Sequence, residues 1–129
     1  MNHTDEKHDL AHRELKDNYC WLDRNKLNDQ WREIDRETKR EIISIFINEL
    51  YDRMTAIESA RELETIRHHV HGIKGSADNI GAKYLADWAR ETESQCNNAS
   101  FDSVLSTLME LPRICEKTIC EVKLFIKES

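Results

Sequence analysis

Leu63, Ile66, Val70, Ile73, Ala77 and Ile80 recur at steps of three and four residues, with no proline among them. A stripe of that period fits one face of an α-helix and no face of a strand, whose period is two. The same steps return along the chain. Ile42, Ile43, Phe46, Ile47, Leu50, Met54 and Ile57 mark a long helix from about Asp35 to Ala60, and the stripe above marks one from about Glu62 to Asn79. Gly81 then makes a break, and Leu85, Trp88 or Ala89, Thr92 and Cys96 mark a helix from about Ala82 to Asn97. Val104, Leu108, Leu111, Cys115, Ile119, Val122 and Ile126 mark a last helix, capped by Ser100 or Asp102. Its phase passes through Pro112, the single proline, so one kinked helix is expected there. Asp23 caps a short first helix through Leu27, Trp31 and Ile34. No strand pattern competes. The predicted fold is all-α: an antiparallel up-down four-helix bundle, with the short N-terminal helix covering one end.

A chain of 129 residues supports one such domain, over residues 21–129. Residues 1–20 read as a polar N-terminal segment, flexible or a short helix through Leu10 and Leu15. A formal charge of −6 argues against nucleic acid as a partner, because phosphate-backbone binding needs a cationic face. No run approaches the roughly 20 apolar residues of a membrane span. The opening "MNHTDEKHDL" has no apolar signal-peptide core. Cys20, Cys96, Cys115 and Cys120 show no paired spacing. They are expected to be reduced and mostly buried, in a cytoplasmic protein. The Trp, Phe and Met positions fall on the apolar stripes and are expected in the core.

The stretch "HHVHGIKGSADNIGA", residues 68–82, holds all three glycines of the chain, with three histidines and a lysine. Arg67, His71, Lys74 and Asp78 are spaced four, three and four apart, a second line along the same helix that faces solvent. These residues suit phosphoryl transfer to a histidine nitrogen. The nucleophile must be neutral imidazole, and an exposed imidazole of ordinary pKa, roughly 6.5, is mostly neutral at pH 7. Lys74, with Arg67, can offset the charge that a phosphoryl group brings. A glycine inside a helix costs about 1 kcal/mol relative to alanine. At Gly75 the return is room for another protein to approach His71; Gly72 reads the same way, or as a packing choice. Asp78 lies one turn past Lys74 and either pairs with it or partly opposes phosphate. His68 and His71 share a face but have no third metal ligand in register, and His3, His8 and His12 read as part of a solvated tail, so no metal site is expected.

"HGIKGSADNIGAKYLADWARETE" resembles the histidine-containing phosphotransfer (HPt) domain, whose signature is H-x-x-K-G-S followed by G-A and a helix reaching an acidic or amide position. Here these are His71, Lys74, Gly75, Ser76, Gly81, Ala82 and Glu93. "WLDRNKL" and "EIISIFINELYDRMTAIESA" resemble the family's short first and long second helices, so the likeness covers about residues 21–127. It implies a monomeric carrier that accepts phosphate on His71 from one receiver domain and passes it to another, the partners being the receiver domains of a hybrid sensor kinase and of a response regulator. Lys74 and Arg67 would hold the phosphoryl oxygens. Gly75, Gly72, Ser76 and Asp78 would form the docking surface, and Glu93 would accept a hydrogen bond from the other ring nitrogen. The chain has no nucleotide-binding glycine loop and no acidic cluster for Mg²⁺, so it is expected to be no enzyme and to need no cofactor. Two other readings compete. One is a helical docking or inhibitory module for a receiver or kinase that takes no phosphate; the other is a metal- or ligand-binding bundle built around the histidines.

Overall fold

A computed structural model describes residues 20–128; the expectation for residues 1–19 lies outside them. Among the described residues every regular element is helical: α1 (Arg24–Gln30), α2 (Arg36–Ser59), α3 (Leu63–Ile80), α4 (Lys83–Asn98), α5 (Phe101–Leu108) and α6 (Leu111–Glu128). Three helix starts carry the caps that the sequence offers. Asp23 accepts from the Lys26 N–H, Asp35 from the Thr38 N–H and Ser100 from the Ser103 N–H, each satisfying a donor that the first turn leaves open.

The apolar stripes meet in one core. Ile43, Phe46, Leu50 and Ile57 of α2 close on Ile66, Val70, Ile73, Ala77 and Ile80 of α3 and on Leu85, Trp88, Ala89 and Cys96 of α4. Val104, Leu111, Ile114, Cys115, Ile119, Val122 and Phe125 complete it. Two buried threonines, Thr92 and Thr118, each bond back to a carbonyl four residues earlier, so neither hydroxyl is left unsatisfied. Trp88 and Ala89 are both buried, where the sequence suggested one or the other.

α3 turns into α4 within two residues. Gly81 takes the left-handed conformation (φ 72°), and the Ala82 N–H reaches back to the Ala77 carbonyl at 2.9 Å. This closes the carbonyls at the end of α3 with a bond that a non-glycine residue would strain. The two helices then run in opposite directions: Asp78 meets Arg90, while Lys74 and His71 meet Glu93. α1 covers this end of the bundle, as expected. The Asp23 N–H bonds to the Gly81 carbonyl at 2.7 Å, Trp21 stacks on Tyr84 at 4.1 Å, and Arg24 pairs with Glu128 at 2.7 Å.

Three expectations need correction. Pro112 does not kink one long helix; α5 ends at Leu108 and α6 starts at Leu111. Proline has no N–H for the carbonyl four residues back, and its ring crowds that carbonyl. The chain therefore closes α5 with the Met109 N–H on Leu105 and the Glu110 N–H on Thr107, and Pro112 falls in the first turn of α6, where no donor is required. The apolar phase survives because both segments turn the same side to the core. At this corner Met109 is 78 % exposed, so not every Met is a core residue. The cysteines are all free thiols, but only Cys96 and Cys115 are buried.

Candidate functional site

Val70 and Ile73 fasten α3 to the core, at 0 and 1 % exposure, and helical rotation turns His71, the residue after Val70, outward. The His71 side chain is 63 % exposed. Its Nδ1 lies 2.9 Å from Glu93 Oε2, on the neighbouring helix. A carboxylate only accepts, so Nδ1 donates; in the neutral ring the proton then sits on Nδ1, and Nε2 keeps its lone pair. The same carboxylate reaches Lys74. Lys74 Nζ stands 3.7 Å from Glu93 Oε1, an ion pair longer than a hydrogen bond. With 19 % of its side chain exposed, Glu93 is the most enclosed member of this trio, and it anchors an imidazole and an ammonium together.

The glycines differ. At Gly75, one turn beyond His71, a Cβ would meet nothing within 4 Å, so the surface there is open. At Gly72 a Cβ would overlap the guanidinium of Arg53 from α2. That glycine is the seat of a side chain from a neighbouring helix, which matches the packing alternative rather than an opening.

Arg67 is drawn one turn away from His71, donating from Nη2 to Glu64 Oε2 at 2.8 Å. That hydrogen bond is the main reason its pKa is raised; the Glu93 charge adds at longer range. Asp78 faces Arg90, with 3.8 Å from Oδ1 to Nη2, and its carbonyl accepts from Lys26 Nζ at 2.9 Å. Its ion pair is therefore with Arg90 and not with Lys74. Ser76 lies on α3, half-buried, one residue past Gly75. His68 stacks edge-on against His69, with 5.1 Å between ring centroids. His69 turns toward α2, where its Nδ1 lies 3.2 Å from Arg53 Nη1. Among the described residues no group of three or more His, Cys, Asp or Glu side chains is placed to hold a metal ion.

Sequence reasoning did not find Arg53 or Arg90. Glu49, four residues before Arg53, was a visible signal for a helical ion pair, and Gly72 was a visible signal for a close approach. Nothing in the sequence joined the two.

The described helices thus present an exposed imidazole held by a half-buried carboxylate, with an ammonium on the same carboxylate and an open surface at Gly75. Residues 41–118, more than half of the chain, match the family model described as the Hpt domain, and the chain belongs to that family. Hpt domains serve phosphorelays as phosphocarriers rather than enzymes, and their partners are receiver domains. No curated protein and no solved structure matches the chain in the corresponding comparisons. No described helix is long and apolar enough to cross a membrane.

Proposed function

We propose that His71 is the phosphoacceptor of a phosphorelay intermediate, loaded by the receiver domain of a hybrid sensor kinase and discharged to that of a response regulator. The supporting observation is the 2.9 Å contact between His71 Nδ1 and Glu93. It leaves Nε2, the solvent-side nitrogen, as the nucleophile. The Nε2 lone pair attacks the phosphorus of a receiver aspartyl phosphate. An N–P bond forms, the acyl O–P bond breaks, and the electron pair leaves with the aspartate carboxylate. The ring becomes a phosphoimidazolium, and its Nδ1–H donates to Glu93. The charge that appears on the ring thus appears beside a carboxylate already in place, the condition for electrostatic stabilisation without reorganisation.

Lys74 supplies the opposite charge. Its ion pair with Glu93 is loose enough at 3.7 Å to be shared with the phosphoryl oxygens once they arrive. Gly75 leaves the surface beside His71 open to the partner's acidic pocket, which brings its own aspartate and metal. Arg67 and Asp78, each engaged by a neighbour, act as rim charges. The protein works in the cytoplasm as a monomer.

The test is transfer from a phosphorylated receiver domain. The full chain gains one acid-labile, alkali-stable phosphate, and His71→Gln removes it while helicity stays. Label persisting in His71→Gln, on His68 or His69, overturns the assignment. Lys74→Ala slows transfer without unfolding the bundle; an unchanged rate makes Lys74 a surface charge only.

A further inference from the structure

Arg53 reaches α3 at Gly72, the residue after His71, and has no part in the transfer chemistry above. Its guanidinium lies across α3 there, in the space a Cβ would fill. Two contacts hold it there: Nε to Glu49 Oε2 and Nη1 to His69 Nδ1, both at 3.2 Å. A guanidinium only donates, so His69 accepts through Nδ1 and carries its proton on Nε2.

Gly72 has no conformational need to be glycine. Gly81 is the one positive-φ residue among the described residues, and Gly72 sits inside a regular helix, where alanine is favoured. What the missing Cβ supplies is the seat for Arg53. The seat is only partly closed, with 25 % of the Arg53 side chain exposed. Of the guanidinium's N–H groups, those on Nη2 make no hydrogen bond to any described residue. Successive helix residues turn by roughly 100° and rise about 1.5 Å, so the ground under Arg53 adjoins the root of the imidazole. Lys74 flanks His71 from the α4 side, through Glu93. Arg53 reaches the same helix from the α2 side, at Gly72 and His69.

The geometry points to Arg53 as a second, partner-facing cation of the site: a positioning residue that offers Nη2 to the anionic pocket carrying the aspartyl phosphate. A planar fork fixed at its other edge suits phosphate or carboxylate oxygens better than a mobile ammonium does. Arg53 makes and breaks no covalent bond; it orients the incoming phosphoryl site between two cations. This inference rests on the phosphotransfer reading of His71.

The experiment measures transfer from an isolated receiver domain, loaded with acetyl phosphate, to the full chain at several salt concentrations. Arg53→Gln is expected to slow transfer about tenfold at low salt, the scale of one charge-assisted hydrogen bond, with unchanged helicity. Its rate also falls less steeply with salt than the wild type's, a readout that a merely structural role would not move. Arg53→Lys restores part of the rate. Gly72→Ala, which evicts the guanidinium, gives the same defect with melting temperature equal or higher, and the double variant is no slower than either single one. If Gly72→Ala loses helicity, Arg53→Gln and Arg53→Lys decide. Wild-type rates and salt slopes in Arg53→Gln, with His71→Gln unlabelled, overturn this inference alone. Label in His71→Gln overturns the underlying reading first.

Discussion

Replacing Glu93 by alanine removes the acceptor that holds His71 Nδ1 at 2.9 Å. Before transfer the lost contact is a hydrogen bond from a neutral ring, worth about 1 kcal/mol. After transfer the ring is cationic, and a hydrogen bond to a charged group is worth roughly 1.5–3 kcal/mol. His71 is 63 % exposed, so water replaces part of that difference and the lower end applies. The lower end less the bond already present before transfer leaves about 0.5 kcal/mol lost as charge develops, roughly twofold slower transfer. Glu93→Gln keeps a neutral acceptor in the same place and loses less than that, so its rate falls between those of the wild type and Glu93→Ala. Glu93→Ala also releases Lys74 from its ion pair, which by itself would favour phosphate binding. The pair is therefore repeated in a Lys74→Ala background, where only the effect on the ring remains. The assay is single-turnover transfer from a radiolabelled receiver domain, with rates ordered wild type, Gln, Ala. A Glu93→Ala rate equal to wild type in both backgrounds refutes the claim that this carboxylate stabilises the phosphorylated ring.

Gly75→Ala adds a methyl group to open space in a helix and should raise stability by up to about 1 kcal/mol in urea denaturation while slowing transfer; unchanged transfer would show that the gap is not used. Gly81→Ala should cost about 1–2 kcal/mol by the same measurement, because its φ of 72° is strained for any residue with a Cβ. His69 has its pKa lowered from 6.5, by burial first and then by the Arg53 and His68 charges, so between the lowered value and 6.5 the unfolded chain binds more protons than the folded one. Stability should therefore fall as pH drops below about 6.5, and His69→Gln should flatten that slope; an equally steep slope in the variant would locate the effect elsewhere. Burial pushes the Cys115 thiol up to about 12 and raises Cys96 as well, so Ellman's reagent at pH 8 should modify Cys20 and Cys120 in the folded protein and reach the other two only on unfolding.

Helix identities were legible because burial imposes a period on side chains that no local detail can hide. Leu63 to Ile80 predicted α3 almost residue for residue, and Asp23, Asp35 and Ser100 carry the caps that their short acceptor side chains suit. The same signal misled at Pro112. Periodicity reports which side of the chain faces the core, whereas a helix break concerns hydrogen bonds, and α5 and α6 share a core-facing side across theirs. Met109, expected in the core with the other Met positions, lies in that break and is exposed there. At the site, spacing along α3 placed His71 and Lys74 together, since both belong to one helix. Partners across helices were harder. The pairing of Asp78 with Arg90, and the seat of Arg53 on Gly72, depend on the rotation and register of whole helices. One sequence without its packing holds no record of either.

Long-range ¹⁵N–¹H and ³¹P spectra of the phosphorylated chain test the central claim most directly, since they report which nitrogen of which ring carries the phosphate. The account predicts phosphorus on Nε2 of His71, with Nδ1 still protonated toward Glu93. Phosphorus on Nδ1 of His71, or on either ring nitrogen of His68 or His69, contradicts it.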